Sequence, residues 1–180
     1  MTHIALLRGI NIGKAKRIAM ADLRALFERL GFRDVRTLLN SGNVVFTVPG
    51  RAKKDLAQTL EKAIAEELGV TSRVTILAAA ELDTIVAKNP LLRVATNPSR
   101  LMVSVLASEA HMERLKPLLK RDWGADRMAV GQRVAYLWCP NSILDSELTE
   151  AVAKALGDGV TSRNWATISK LHALVRLVPS

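Results

Sequence analysis

The sequence predicts an α+β fold of two ferredoxin-like halves packed into one compact body. Three observations predict it. Short apolar or alternating runs read as strands, longer runs with apolar residues three or four apart read as helices, and their order in residues 1–95 comes round again, incompletely, in residues 96–180.

Ile4 to Arg8 reads as the first strand, and Met20, Leu23, Phe27 and Leu30 then recur at helical spacing up to Gly31, a residue suited to a C-terminal cap. Val35 to Leu39 and Val44 to Val48 are strands flanking NSGN, Asn40 to Asn43, whose Ser-Gly centre and flanking asparagines tolerate the positive φ of a tight hairpin. Leu56, Leu60, Ile64 and Leu68 mark a second helix that stops at Gly69, and Arg73 to Leu77 alternates as a strand. The order is βαββαβ. A short helix with Leu82, Ile85 and Val86 ends near Asn89-Pro90, and the turn-rich ATNPSR, Ala95 to Arg100, joins the halves.

In the second half Leu101 to Ala107 is an apolar strand, and Ser108 is placed to cap a helix through Met112 and Leu115 that Pro117 kinks or restarts. Arg127 to Val130 and Val134 to Cys139 form a hairpin about Gly131-Gln132, and Leu148, Val152 and Leu156 mark a further helix. The chain then ends in a helix with Trp165, Ile168, Leu171 and Val175 on one stripe and Ser162 as N-cap. No fourth strand is predicted, so this half is a degenerate βαββαα copy.

In the ferredoxin-like order 4-1-3-2, the first and third strands are central. Ile4 to Leu7 and Val44 to Val48 are nearly continuous apolar runs, as burial on both faces requires, whereas Val35 to Leu39 and Arg73 to Leu77 mix polar with apolar positions, as edges do. A single unit leaves one sheet face open, so something must cover it, and the other half is the expected cover.

Basic residues number 26 against 17 acidic, a formal charge of +9, a balance suited to nucleic acid, phosphate or acidic surfaces. The excess is spread: 14 against 9 in residues 1–90 and 12 against 8 in residues 91–180, so no basic tail is set apart. One cysteine, Cys139, permits no intrachain disulfide, and no leader or membrane-length apolar run is visible, so a cytoplasmic protein without membrane attachment is expected.

The stretch RGINIGKAKR, Arg8 to Arg17, holds the candidate site. In βαββαβ topology the first two strands are parallel, so the loop after the first, the NSGN bend after the second, and Thr71-Ser72 before the fourth share one end of the sheet. Gly9 and Gly13 allow close backbone approach, while Arg8, Lys14, Lys16 and Arg17 supply positive charge. Asn11, Asn40, Ser41, Gly42 and Asn43 add hydrogen-bonding groups and the bend itself. The same residues admit a structural reading, with glycines serving turns, asparagines satisfying backbone, and cations forming a solvated rim. A P-loop is excluded: its pattern GxxxxGK[ST] needs four residues between glycines and a hydroxyl after the lysine, whereas Gly9 and Gly13 enclose three and Ala15 follows Lys14.

Arg163, Asn164 and Trp165, following Ser162, are a second candidate, since a helix start with an arginine and an aromatic face suits a phosphate or a base. Equally, Trp165 can open the apolar stripe while Arg163 and Asn164 tie the helix end to nearby loops. His3, His111 and His172 stand at no metal-ligand spacing, so neither metal nor other cofactor is expected. No G-x-S-x-G elbow is present, and Cys139 sits in an apolar run as a buried thiol would. Base stacking of the RNA-recognition type needs aromatics on the central strands, where only Phe46 is found.

The motifs RGINIG (8–13), SGNVVF (41–46) and SRNWATISKL (162–171) together resemble the bacterial family known as domain of unknown function 1697, in order and over Ile4 to Leu171. The resemblance implies a compact α+β fold and no established activity, so it transfers no catalytic residues. Members commonly read RGINVGGKN in the first loop, whereas this chain has Lys14 and Ala15 in place of the second glycine and the lysine. Ala166 replaces a common asparagine beside Trp165.

The expected function is a binding module for a phosphorylated small molecule or a nucleic-acid backbone, seated on the basic glycine-bearing loop. The alternative is an enzyme acting on a small phosphorylated or anionic substrate, with Ser41 or Asn43 beside the reacting group and Arg163 as electrostatic stabiliser.

Overall fold

The computed structural model describes residues 1–51 and 54–179. The chain forms two compact units, Met1–Leu82 with the chain from Leu171 on, and Asp83–Lys170. It passes from one to the other within a helix, Ala79–Ala87, and back within another, Trp165–Val175. The division does not fall at ATNPSR, which lies inside the second unit.

The first unit contains β1 (Thr2–Leu7), α1 (Met20–Arg29), β2 (Arg33–Leu38), β3 (Asn43–Thr47), α2 (Leu56–Leu68) and β4 (Val74–Ala78). Its sheet has the order β2-β3-β1-β4, with β1 and β3 central as their apolar sequences require. All neighbouring strands are antiparallel, so β1 and β2, both paired with β3, run the same way. Ala5, Leu7, Val44 and Phe46 face the helices, where Leu23, Leu26 and Phe27 of α1 and Leu60 and Ile64 of α2 complete the core. Phe27 meets Phe46 edge-on with ring centres 5.0 Å apart, a geometry the ring quadrupoles favour. Ile4, Leu6 and Val45 on the alternate positions are equally dry, so the central strands are buried on both faces. The edge strand β2 is interrupted by an irregularity between Arg33 and Arg36, where Asp34 has φ 50°. Such a break, with charged neighbours, blunts an open edge against further pairing.

The helix Ala79–Ala87 is α3. The second unit continues with β5 (Leu101–Leu106), α4 (Lys116–Leu119), β6 (Arg127–Gly131), β7 (Val134–Trp138), α5 (Glu147–Leu156) and β8 (Val160–Asn164), followed by α6 (Trp165–Val175). Its sheet order, β6-β7-β5-β8, is the first unit's order over again. The predicted degenerate βαββαα half is therefore a complete βαββαβ. The fourth strand escaped prediction because only Val160 is apolar in it, and Thr161, Ser162, Arg163 and Asn164 resemble a loop. Pairing with β5, from Leu106↔Val160 to Met102↔Asn164, supplies what propensity lacks. Ser162 is consequently a strand residue, its hydroxyl 2.8 Å from that of Ser104. Asn164 caps α6 instead, accepting the Thr167 N–H at 2.9 Å.

Two smaller expectations also change. Residues Glu109–Leu115 form a 3-10 helix, with the Ser108 hydroxyl on His111 Nδ1 at 2.9 Å rather than on the backbone, and Pro117 sits in the first turn of the short α4. The β6–β7 hairpin turns at Gln132-Arg133, one residue later than expected, because Arg133 adopts φ 56° while Gly131 still pairs with Val134.

Tyr136 is buried on β7, and its hydroxyl donates to the Ile85 carbonyl at 2.8 Å. Burial pushes its pKa up to about 12 from an ordinary 10. The folded state thus holds the neutral phenol, so stability is retained below pH 10 and falls by about 1.4 kcal/mol per pH unit as pH climbs from 10 toward 12. Tyr136 is the chain's single tyrosine, so tyrosinate absorbance reads this group alone. Titration is expected to give a midpoint near 12, or coincident with unfolding, in buffer and near 10 in denaturant. Tyr136→Phe is expected to cost about 1–2 kcal/mol by urea unfolding.

Candidate functional site

Because β1 and β2 are parallel, their C-terminal ends open onto the same rim of the first sheet, and the backbone stitches the following segments together there. The Leu7 N–H donates to the Gly42 carbonyl at 2.8 Å and the Arg8 N–H to the Arg73 carbonyl at 2.9 Å. The Ser72 hydroxyl donates to the Arg8 carbonyl at 2.9 Å. Asn11 is the clamp: its Nδ2 donates to the carbonyls of Asn40 (2.7 Å) and Ile18 (2.9 Å), and its Oδ1 accepts the Ile18 N–H at 2.8 Å. One carboxamide closes the loop on itself and binds it to the bend. Thus Arg8, Asn11, Asn40, Ser41, Gly42 and Asn43 are gathered on one rim, as topology predicted.

Two of the bend residues have structural duties. Asn43 is fully buried, donating to the Leu38 carbonyl at 2.7 Å and to the Ser41 hydroxyl at 3.0 Å. Gly42 has φ 85°, and a Cβ there would lie 2.8 Å from both Leu7 Cβ and Ile10 Cδ1. The left-handed residues of this turn are Leu39 (φ 58°) and Gly42, not the asparagines.

Between its clamped ends the loop is a small β-hairpin. Ile12 bridges Ala15 in antiparallel fashion, and the Asn11 N–H donates to the Lys16 carbonyl at 3.0 Å. Gly13, with φ 60°, opens the two-residue turn, as a type II′ geometry requires, and Lys14 completes it without a positive φ. A second glycine at 14 is therefore not needed. Every residue from Ile12 to Arg17 is exposed. Lys14, Lys16 and Arg17 have no carboxylate partner among the described residues. A Cβ on Gly9 or Gly13 would meet nothing within 4 Å, so neither glycine lines a cradle. The sequence reading missed two features: the hairpin itself, and Ile12, an apolar side chain 71% exposed at the turn. The Asn11-to-Lys16 span around Gly13-Lys14 carried the hairpin signal, but its arms are one residue long.

The second candidate belongs to the second unit. Arg163 is half-buried, its Nη1 donating to the Ser162 carbonyl at 2.9 Å, and burial pushes its pKa down to about 10, leaving it a cation at neutral pH. Asn164 is engaged as the α6 cap and Trp165 is half-buried in the first turn. Cys139 is fully buried, with its sulfur 3.4 Å from the Ser146 hydroxyl. Among the described residues no cluster of three or more histidines, cysteines or carboxylates could hold a metal, and no helix is long and apolar enough to cross a membrane.

These features define the class, an α+β protein of two successive βαββαβ units, each closed by a four-stranded antiparallel sheet. Within it, the chain belongs to the family described as protein of unknown function (DUF1697), matched over residues 1–136. The match includes RGINIG and SGNVVF and stops short of SRNWATISKL. A solved structure described as the conserved bacterial protein SP0830 from Streptococcus pneumoniae is similar with a TM-score of 0.80 at 20% identity, over 97% of this chain and 98% of that one. That likeness establishes the fold. No curated protein matches the chain.

Gly42→Ala is expected to lower stability by ~2–4 kcal/mol, combining left-handed strain with overlap on Leu7 and Ile10, as measured by urea unfolding. Asn11→Ala is expected to cost about 1–3 kcal/mol and to raise amide exchange at Ile18 selectively, because that N–H loses its acceptor.

Proposed function

We propose that this protein is a binding module for a phosphate-bearing ligand or a nucleic-acid backbone, and that the hairpin Asn11–Lys16 with Arg17 is its binding element. The observation that carries this reading is the presentation of Lys14, Lys16 and Arg17: exposed, without carboxylate partners among the described residues, on a loop that Asn11 holds at both ends. Placing three like charges within four residues is electrostatically unfavourable, and a bound polyanion relieves that repulsion. Ordering the loop in advance removes part of the entropy that binding otherwise costs.

The enzymatic alternative has less support. Ser41 accepts a hydrogen bond from Asn43, and Asn43 is fully buried, so this pair serves the bend.

The test is a titration with nucleotides and short oligonucleotides against wild type and a Lys14→Gln, Lys16→Asn, Arg17→Gln variant. Asparagine is chosen at 16 because it tolerates the left-handed φ of 49° found there. Binding that weakens at least roughly tenfold in the variant and declines with salt supports the reading. Equal affinities end it.

A further inference from the structure

The binding element faces solvent along its length. Every residue from Ile12 to Arg17 is exposed, and the space that a Cβ would occupy on Gly9 or Gly13 is open, so among the described residues neither glycine backs onto an enclosed site for a small phosphate. A metabolite phosphate is held by donors converging on one point, whereas exposed cations spaced along a chain segment match charges distributed along a polymer. The segments of the rim, Arg8 to Arg17 and Leu39 to Asn43, contain no aromatic residue. Single strands are held by stacking bases on aromatics, and that grip is missing from both segments. What the rim does expose is aliphatic: Ile12 is 71% exposed at the turn, and Leu39, next to the Asn40 that Asn11 clamps, is 48% exposed. A narrow turn closed by the single Ile12–Ala15 bridge, which sets cations beside an exposed aliphatic side chain, suits the groove of a double helix, where the cations meet phosphates and the apolar group meets sugars and base edges.

We propose that the ligand of this rim is a nucleic-acid duplex, bound without sequence preference, with the hairpin in a groove, Lys14, Lys16 and Arg17 on backbone phosphates and Ile12 against the groove wall. The proposal rests on the anion-binding reading above and narrows it to one class of ligand. Phosphate contacts position a protein but carry no sequence information, which is why no preference is expected.

The experiment measures fluorescence anisotropy with a labelled duplex of about two helical turns, each of its separate strands, and ATP and pyrophosphate as competitors, over a salt series. Wild type, the triple charge variant and Ile12→Ser are compared. Ile12 is exposed, so its truncation leaves the core intact, and circular dichroism checks this. The duplex is expected to bind roughly tenfold or more tighter than either strand, and the triple variant to reduce the slope of log K against log salt by about 2.7, or 0.9 per phosphate. Ile12→Ser is expected to weaken duplex binding about fivefold while leaving that slope unchanged, because it removes an apolar contact and no charge.

Strands, ATP or pyrophosphate binding as tightly as the duplex and through the same cations overturns the duplex proposal while the anion-binding reading stands. An unchanged Ile12→Ser also overturns it. Retention on vesicles of phosphatidylserine and phosphatidylcholine, dependent on Ile12 and without duplex binding, overturns it in favour of a membrane surface. No binding to any probe, or a triple variant indistinguishable from wild type, overturns both readings.

Discussion

The side chain of Asn11 makes three hydrogen bonds, to Ile18 in both directions and to the Asn40 carbonyl, and the basic rim depends on it. A loop of this length between β1 and α1 has ample freedom, and ordering each residue costs about 1–2 kcal/mol. The carboxamide offsets part of that cost by closing the loop on Ile18 and tying it to Asn40. It also transmits the position of the β2–β3 bend to the hairpin, so the placement of the cations is tied to the sheet. The left-handed φ of 54° at Asn11 is itself one that asparagine tolerates better than most residues.

The sheet in turn depends on the burial of β1 and β3. Ile4 to Leu7 and Val44 to Phe46 are dry at every position, which leaves no alternation of wet and dry faces along these strands. Register is then held by shape and by the ends: Gly42 brings its backbone against Leu7 and Ile10 where no side chain fits, and Ser72 ties the start of the β4 segment to Arg8. Packing in the layer and hydrogen bonding at the rim thus specify the same arrangement, the agreement across levels that marks a sequence with one low-energy fold.

The two units share a strand order but differ at the corresponding rim. In the first, the loop after the leading strand is glycine-bearing, cationic and exposed; in the second, the leading strand β5 is followed by Ala107 and the 3-10 segment Glu109–Leu115, which carries Glu109 in its first turn and Arg114 in its last. The glycine-bearing loop with three closely spaced cations therefore stands at the rim of the first unit. Arg163, in the second unit, is half-buried and engaged with its own strand's carbonyl, a setting suited to tying structure rather than to meeting a large polyanion.

Most of the architecture was legible because it rests on local periodicity. The apolar runs identified the central strands, the spacing of Leu23, Phe27, Leu60 and Ile64 identified the helices, and parallel β1 and β2 required Arg8 to Arg17, Asn40 to Asn43 and Ser72 to share a rim. Features that depend on a distant partner were not legible. β8 is a strand because β5 accepts it, and Ser104 and Ser162, which meet across that pairing, stand 58 positions apart. The hairpin at Gly13-Lys14 is too short for a periodic signal, and the exposure of Ile12 contradicts its residue type. By itself the sequence determined the first βαββαβ frame, the βαββα part of the second and the charge of the rim, since these follow from composition and spacing along the chain. Only the tertiary structure decided the fourth strand of the second sheet, the duties of Asn43 and Gly42, and the outward presentation of Ile12 and its neighbouring cations, because each is set by which distant groups the folded chain brings within bonding distance and which it leaves facing water.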